Sequence, residues 1–264
     1  MRIVFLTEIK RILSYRIDFW LQFVAGVLIQ IGLAFFLWQA LFERRGGVEI
    51  GGYGFRGLMF YYLMVPLVDR AIRGPEMSFI APEIYEGTLS KYLIYPVPFF
   101  LYKFVTHFAQ SFAFLFQFLL TLTVSLLIFG NPPEFRIGVG SMMMGIGAMA
   151  SATVLYFSLS SIFECFAFWA DNVWSLLVML RLVIFFLGGG MVPLSMFPEG
   201  MVHILDYTPF PYLTSFPIRC LVGEIAMGEF LAGILKIVVW SALFAVIVRR
   251  FWRRGLLVYT GVGI

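Results

Sequence analysis

Side chains able to do chemistry are few in this 264-residue chain, and their spacing excludes most reactions. His107 and His203 lie far apart with no Cys or carboxylate at ligand spacing, which argues against a metal site. Cys165 and Cys220 read as free, packed thiols near opposite faces of the fold. No GxxxxGK[ST] phosphate loop, HExxH pair or nucleophile elbow occurs, so the chain has no nucleotide-hydrolysing or catalytic signature of its own. The remaining candidates are ionic. Glu83, Glu86 and Lys91 make residues 82–98, PEIYEGTLSKYLIYPVP, polar between apolar runs. Asp69 and Arg181 are charges inside apolar stretches, and Lys10, Arg11 and Arg16 cluster before the first long one.

The elements that position these residues follow from composition. Hydrophobic residues make up 61% and charged residues 13%, against roughly 45–50% and 25% in a soluble domain. Mean hydropathy is +0.92. A chain of this size cannot hide so much apolar surface inside itself, so lipid must solvate it. Disorder, nucleic-acid binding and a disulfide-rich secreted fold are excluded.

Hydropathy predicts an all-α integral membrane protein with six spans. They run over 19–42, 55–72, 99–129, 137–162, 173–192 and 230–248. The first residues do not read as a secretory signal. Residues 1–18 instead predict an interfacial amphipathic helix. Glu8, Arg11, Tyr15 and Asp18 recur on one side, with Phe5, Ile9, Ile12 and Leu13 on the other. A Gly-rich connection, Arg44–Gly54, follows the first span. With both termini cytoplasmic, about twice as many Lys and Arg fall inside as outside, which sets the orientation.

Residues 82–91 predict a short helix on the membrane surface, broken at Gly87, with Ile84 and Leu89 facing lipid or protein. Residues 193–229 carry Pro193, Pro198, Pro209, Pro211 and Pro217 yet stay apolar, as short re-entrant helices buried against protein would. Small residues at helical spacing in the fourth span (Ser141 with Gly145, Gly147 with Ser151, Ala148 with Ala152) suit close helix contact. Arg181 sits about 12 Å from the cytoplasmic end of its span, at about 1.5 Å per residue. Asp69 is at a comparable depth. A lone charge there costs roughly 2.5–3.5 kcal/mol, so the two are expected to neutralise each other or to line a wet pathway or permease seam. Glu164 and Asp171 fall nearer the boundary, where water is expected to reach them.

These residues resemble the membrane subunits of type-2 ATP-binding-cassette transporters. Such permeases carry a connection like I-x-x-GTL-x-x-L-x-x-P, matched by Ile84, Gly87, Thr88, Leu89, Leu93 (one position looser) and Pro96. After the fifth span they carry G-x-x-x-P-L-x-x-x-P, similar to Gly189, Pro193, Leu194 and Pro198, then a Pro-rich hairpin and an Arg, similar to Pro209, Pro211 and Arg219. The N-terminus, KRILSYRIDF then LWQALF, is similar to bacterial permeases often paired with a second, related permease.

The resemblance implies two permeases side by side in the inner (plasma) membrane. Two cytoplasmic ABC ATPase subunits would sit beneath them and hold the ATP and Mg, with no cofactor in this chain. Residues 82–91 would be the coupling helix, with Glu83, Ile84, Glu86, Gly87, Thr88 and Lys91 at the ATPase. Lys10, Arg11 and Arg16 would rest on anionic lipid. The implied function is export of a hydrophobic, lipid-like or drug-like substrate. The alternatives are a stand-alone channel or ion-coupled carrier, or a non-transporting scaffold. A carrier would show paired broken helices and several buried acids, and a scaffold would not need the polar 82–91 helix.

Overall fold

The computed structural model covers residues 1–44, 46 and 49–261, apart from the side chains of Arg16, Asp18, Leu93 and Phe129. Arg45, Gly47 and Val48, within the Gly-rich connection, lie outside the described residues. A backbone in lipid must satisfy its own hydrogen bonds, and long apolar runs do so as helices. The helices are α1 (Arg2–Ser14), α2 (Arg16–Arg44), α3 (Phe55–Arg73), α4 (Ala81–Tyr85), α5 (Leu89–Leu93), α6 (Phe99–Phe129), α7 (Val139–Glu164), α8 (Trp174–Leu187), α9 (Glu199–Leu205), α10 (Ser215–Leu221) and α11 (Met227–Val258). Among the described residues there is no strand, only an isolated bridge between Ile50 and Tyr53.

Among the described residues, four stretches are long and apolar enough to cross a bilayer: Phe19–Arg44, Phe99–Ile128, Val139–Phe168 and Met227–Val258. Their outward faces are apolar, with Leu28, Leu33, Phe36 and Leu127 more than half exposed, as lipid-facing side chains are. α3 is the central helix instead. It packs on α2, α6, α7 and α10 and buries Leu58, Met64, Leu67, Val68 and Ile72, so protein rather than lipid solvates it.

Three boundaries differ from expectation. The interfacial helix stops at Ser14, and residues 16–18 begin the crossing helix. The expected fifth span, 173–192, is only the 14-residue α8. At about 1.5 Å per residue it covers about 21 Å of a core about 30 Å thick. The run Gly188–Gly190 ends it, and that turn is held where Tyr61 Oη donates to the Gly189 carbonyl at 2.8 Å and the Ser215 amide donates to that of Gly188 at 2.9 Å. The last helix runs past 248 to Val258, because Arg249–Arg254 extend it with good helix formers.

The Pro-rich stretch expected to re-enter folds into α9, α10 and two 3₁₀ turns. α10 is buried against α7, with Phe216, Ile218, Cys220 and Leu221 inside. The small residues of α7 admit it: a Cβ on Gly145 would overlap the Leu221 side chain and stand 3.1 Å from its Cα. Gly140, on the same helix, has nothing within 4 Å. Gly145→Val is therefore expected to destabilise the purified protein by about 1–3 kcal/mol. In a thermal melt in detergent, Gly140→Val should leave the midpoint in place. Equal melts for the two variants would remove the close contact.

Candidate functional site

After α3 ends, residues 74–80 cross beneath the bundle to the last turn of α7. There Glu164, 0% exposed, gathers the segment. Its Oε2 accepts from Ser78 Oγ at 2.7 Å and from the backbone amides of Phe79, Ile80 and Ala81 at 2.6, 2.5 and 3.2 Å. These amides point one way because α4 starts at Ala81, and the first N–H groups of a helix have no partner within it. Pro82 fits the first turn, where its missing N–H is no loss. Glu164 is thus sealed from the water it was expected to meet: Oε2 is held by Ser78 and three backbone amides, and Oε1 is buried without a partner.

Glu83 forms the second anchor. Lys103 Nζ, from α6, donates to it at 2.6 Å, Tyr92 Oη at 3.0 Å and Thr88 Oγ1 in a short bond, while Lys91 Nζ stands at 3.6 Å. Burial pushes the Glu83 carboxyl up, but the hydrogen bonds from Lys103, Thr88 and Tyr92 outweigh it and hold it below its ordinary value. Ile84 and Leu89 face protein, not lipid. They are 2% and 0% exposed in a cluster with Phe79, Phe99, Phe168 and Leu177, and Trp252 of α11 stacks on Phe99 at 4.9 Å.

The expected single helix over 82–91 is therefore two short ones hinged at Gly87, whose φ of +68° favours glycine. Glu83 and Thr88 are turned inward and committed to each other, which corrects the expectation that Glu83 meets charges of another subunit. Pro82, Glu86, Ser90 and Lys91 remain exposed.

The expected Asp69–Arg181 pair does not form. Asp69 Oδ1 lies 2.9 Å from Arg73 Nη1, one turn on along α3, where an i,i+4 partner needs no tertiary fit. Arg181 Nη2 instead donates to the Glu76 carbonyl at 2.5 Å. Both residues do line one cavity between α2, α3 and α8, together with Arg70 and Arg73.

The N-terminal helix is also differently used. Glu8 is its buried residue. Arg11 pairs with Glu8 at 2.6 Å and with Glu76 at 2.9 Å, and Gln110 donates to both carboxylates. Arg11 thus clamps α1 to residue 76 and to α6 instead of resting on lipid alone. Lys10 is exposed, and the Arg16 side chain lies outside the described residues.

Arg73, Glu76, Lys103 and Gln110 belong to this framework without having stood out in the sequence, whereas Glu8 and Glu164 were expected on a polar helix face and at a wet boundary. The helical spacings Glu8–Arg11 and Asp69–Arg73 could have been read there. Chemically the arrangement binds and braces. Among the described residues no nucleophile–base pair accompanies it.

A helical membrane protein with a braced polar helix pair beneath its bundle is the class that fold and site define. The family model described as ABC-2 family transporter protein matches residues 28–263, and the chain belongs to that family. It is a multi-pass permease of an ABC transporter, a transport component that associates with ABC ATPase partners. No match is found among curated proteins.

Two outcomes follow from these contacts. In double-mutant cycles on detergent stability, Asp69→Asn with Arg73→Gln should be non-additive by about 1–3 kcal/mol. Asp69→Asn with Arg181→Gln should add within about 0.5 kcal/mol. The reverse pattern would restore the cross-helix pair.

Separately, the Glu83 carboxyl has a folded pKa below its unfolded value of 4.5, so its stabilisation is complete above 4.5 and is lost as pH falls through the lower folded value. Hydrogen-exchange protection of amides 84–93, corrected for intrinsic rates, should fall over that window. In Glu83→Gln the protection should be low already at pH 7 and independent of that titration.

Proposed function

We propose that this permease is the membrane half of an ATP-driven exporter of a hydrophobic, lipid-like or drug-like substrate, with α4–α5 as its docking element on the ATPase. One observation carries the reading. The exposed edge Pro82, Glu86 and Ser90 sits on a segment whose other side is fastened to α7 through Glu164 and to α6 through Lys103. A push on that edge is transmitted to crossing helices instead of being absorbed by a loose loop.

In this reading both termini are cytoplasmic, in line with the distribution of Lys and Arg. The six crossings are α2, α3, α6, α7, α8 and α11, with α8 completed by the buried Gly188–Gly190 turn. α1 lies along the headgroups of the inner (plasma) membrane, with Lys10 toward anionic lipid. Two permeases, a second copy or a related chain, stand over two ATPase subunits that hold the ATP and Mg. Coupling requires that the ATPase grip α4–α5 differently before and after it closes on nucleotide.

The test uses Glu86, which is exposed and makes no internal ion pair in the described structure. Glu86→Lys is expected to weaken co-purification of the wild-type chain's ATPase subunit about tenfold, through an unfavourable charge at the contact. Glu199→Lys, exposed on α9, should leave it unchanged. Undiminished co-purification and transport-linked ATP hydrolysis in Glu86→Lys would move the docking element elsewhere.

A further inference from the structure

The cavity between α2, α3 and α8 holds about 510 Å³. Its charged lining is Asp69, Arg70, Arg73 and Arg181, so three guanidiniums face one carboxylate and the wall carries two positive charges in excess. The nearby Glu8 and Glu76 share Arg11, a cluster with one net negative charge, so it offsets part of this excess and leaves the region positive.

The hydrogen-bond inventory has a definite sign. Arg73 is 3% exposed, and Asp69 takes only its Nη1, leaving Nε and Nη2 without partners. Those two donors form the side-on fork of the guanidinium, the edge that matches two oxygens of an oxyanion. Arg181 Nε is also unpartnered, and so is Gln30 Nε2 on α2. Every orphaned polar atom of this lining is a donor, and the donors come from three different helices. Buried donors without acceptors cost about 1–3 kcal/mol each, more for charged groups.

The opposite end of the cavity is apolar. Val65 on α3 and Phe185 on α8 form it, about two turns from Arg73 and one turn from Arg181 along their helices.

We infer that this cavity binds a phosphate group, carried by an amphiphile whose chain lies against the apolar end, or supplied as free phosphate. A carboxylate offers two oxygens on one side. A phosphate offers three or four in a tetrahedral array, and with a single ester its charge approaches the excess of two on the wall. A small rotation that brings these buried donors to the cavity surface lets Arg73 supply the fork and Arg181 a single donor, while Arg70, which bonds Gln22 at 3.1 and 3.2 Å, closes the rim. The inference rests on the cavity itself and stands whichever way the permease moves its substrate.

The experiment is native mass spectrometry of the purified full-length chain in detergent. It is titrated with phosphatidic acid, with a diacylglycerol of the same chains and with inorganic phosphate. Phosphatidic acid is expected to be retained at least tenfold more tightly than diacylglycerol, and Arg181→Gln to lower that affinity about tenfold. Arg70 is half-buried, so Arg70→Gln provides a second variant that keeps the core intact should Arg181→Gln fail to fold. Arg250→Gln, at the cytoplasmic end of α11, should change nothing.

Competition by inorganic phosphate, lost in the same variants, would assign the site to free phosphate. Retention of the lipid without such competition would assign it to a headgroup. Equal retention of both lipids with no phosphate binding overturns the inference. So does an affinity untouched by Arg181→Gln and Arg70→Gln, or lowered as much by Arg250→Gln.

Discussion

A single carboxyl oxygen holds the base of the bundle together. Glu164 has no exposure, and a carboxyl group in such a place is tolerable only when protein donors replace its water. Ser78 and three successive amides do so. Each such hydrogen bond contributes about 1 kcal/mol, and leaving a buried polar group without any costs more. The larger effect is on geometry. The amides at 79–81 can converge on one oxygen only if the chain turns into α4 at that point, so the end of α7 dictates where the polar helix pair begins. The N-terminal partial charge of a helix also suits a carboxylate.

From that start the segment is closed by contacts of other kinds. Glu83 ties its middle to α6, Ile84 and Leu89 fill an apolar cluster, and the rings of Phe99 and Trp252 bring in the end of α11. Ion pair, backbone grip and ring packing come from different helices, so no single shift can release all three. Rigidity of this kind is what an element needs if displacement at its surface is to reach the bilayer.

Much of this was legible in sequence, and the rest was not for identifiable reasons. The bounds of α6 fall between Pro98 and Gly130, at the two ends of an apolar run whose one charge is Lys103, because in lipid hydropathy and helix length answer to the same constraint. α8 was overextended because Val192 still reads as apolar, whereas the three glycines before it end the helix. Glu164 was placed in water since a lone acid near the end of a span, in SSIFECF, looks like a boundary residue. Nothing local shows that residues 78–81 will come to it. The Asp69–Arg181 expectation failed for the opposite reason: it sought a distant partner where Arg73 was available one turn away. Lys103 and Glu83 are 20 residues apart, and no helical periodicity links them.

Between the braced segment and the arginine-lined cavity the connection is short. Arg181 donates to the carbonyl of Glu76, and two residues on, Ser78 donates to Glu164. The Glu76 side chain meanwhile holds Arg11 of α1. Residues 76–78 therefore join α8, α7 and α1 through consecutive atoms of one backbone, and a rigid-body displacement of α4 must be taken up within them. The donors facing the cavity depend on how Arg181 divides itself between that carbonyl and the cavity. Any ligand that competes for Arg181 would act on the same three residues that α4 pulls when it moves. Such a ligand and an ATPase contact would then be linked reciprocally, each altering the affinity for the other by the same factor. This linkage needs no wire through the bundle, because the shared element is one peptide carbonyl and the chain on either side of it.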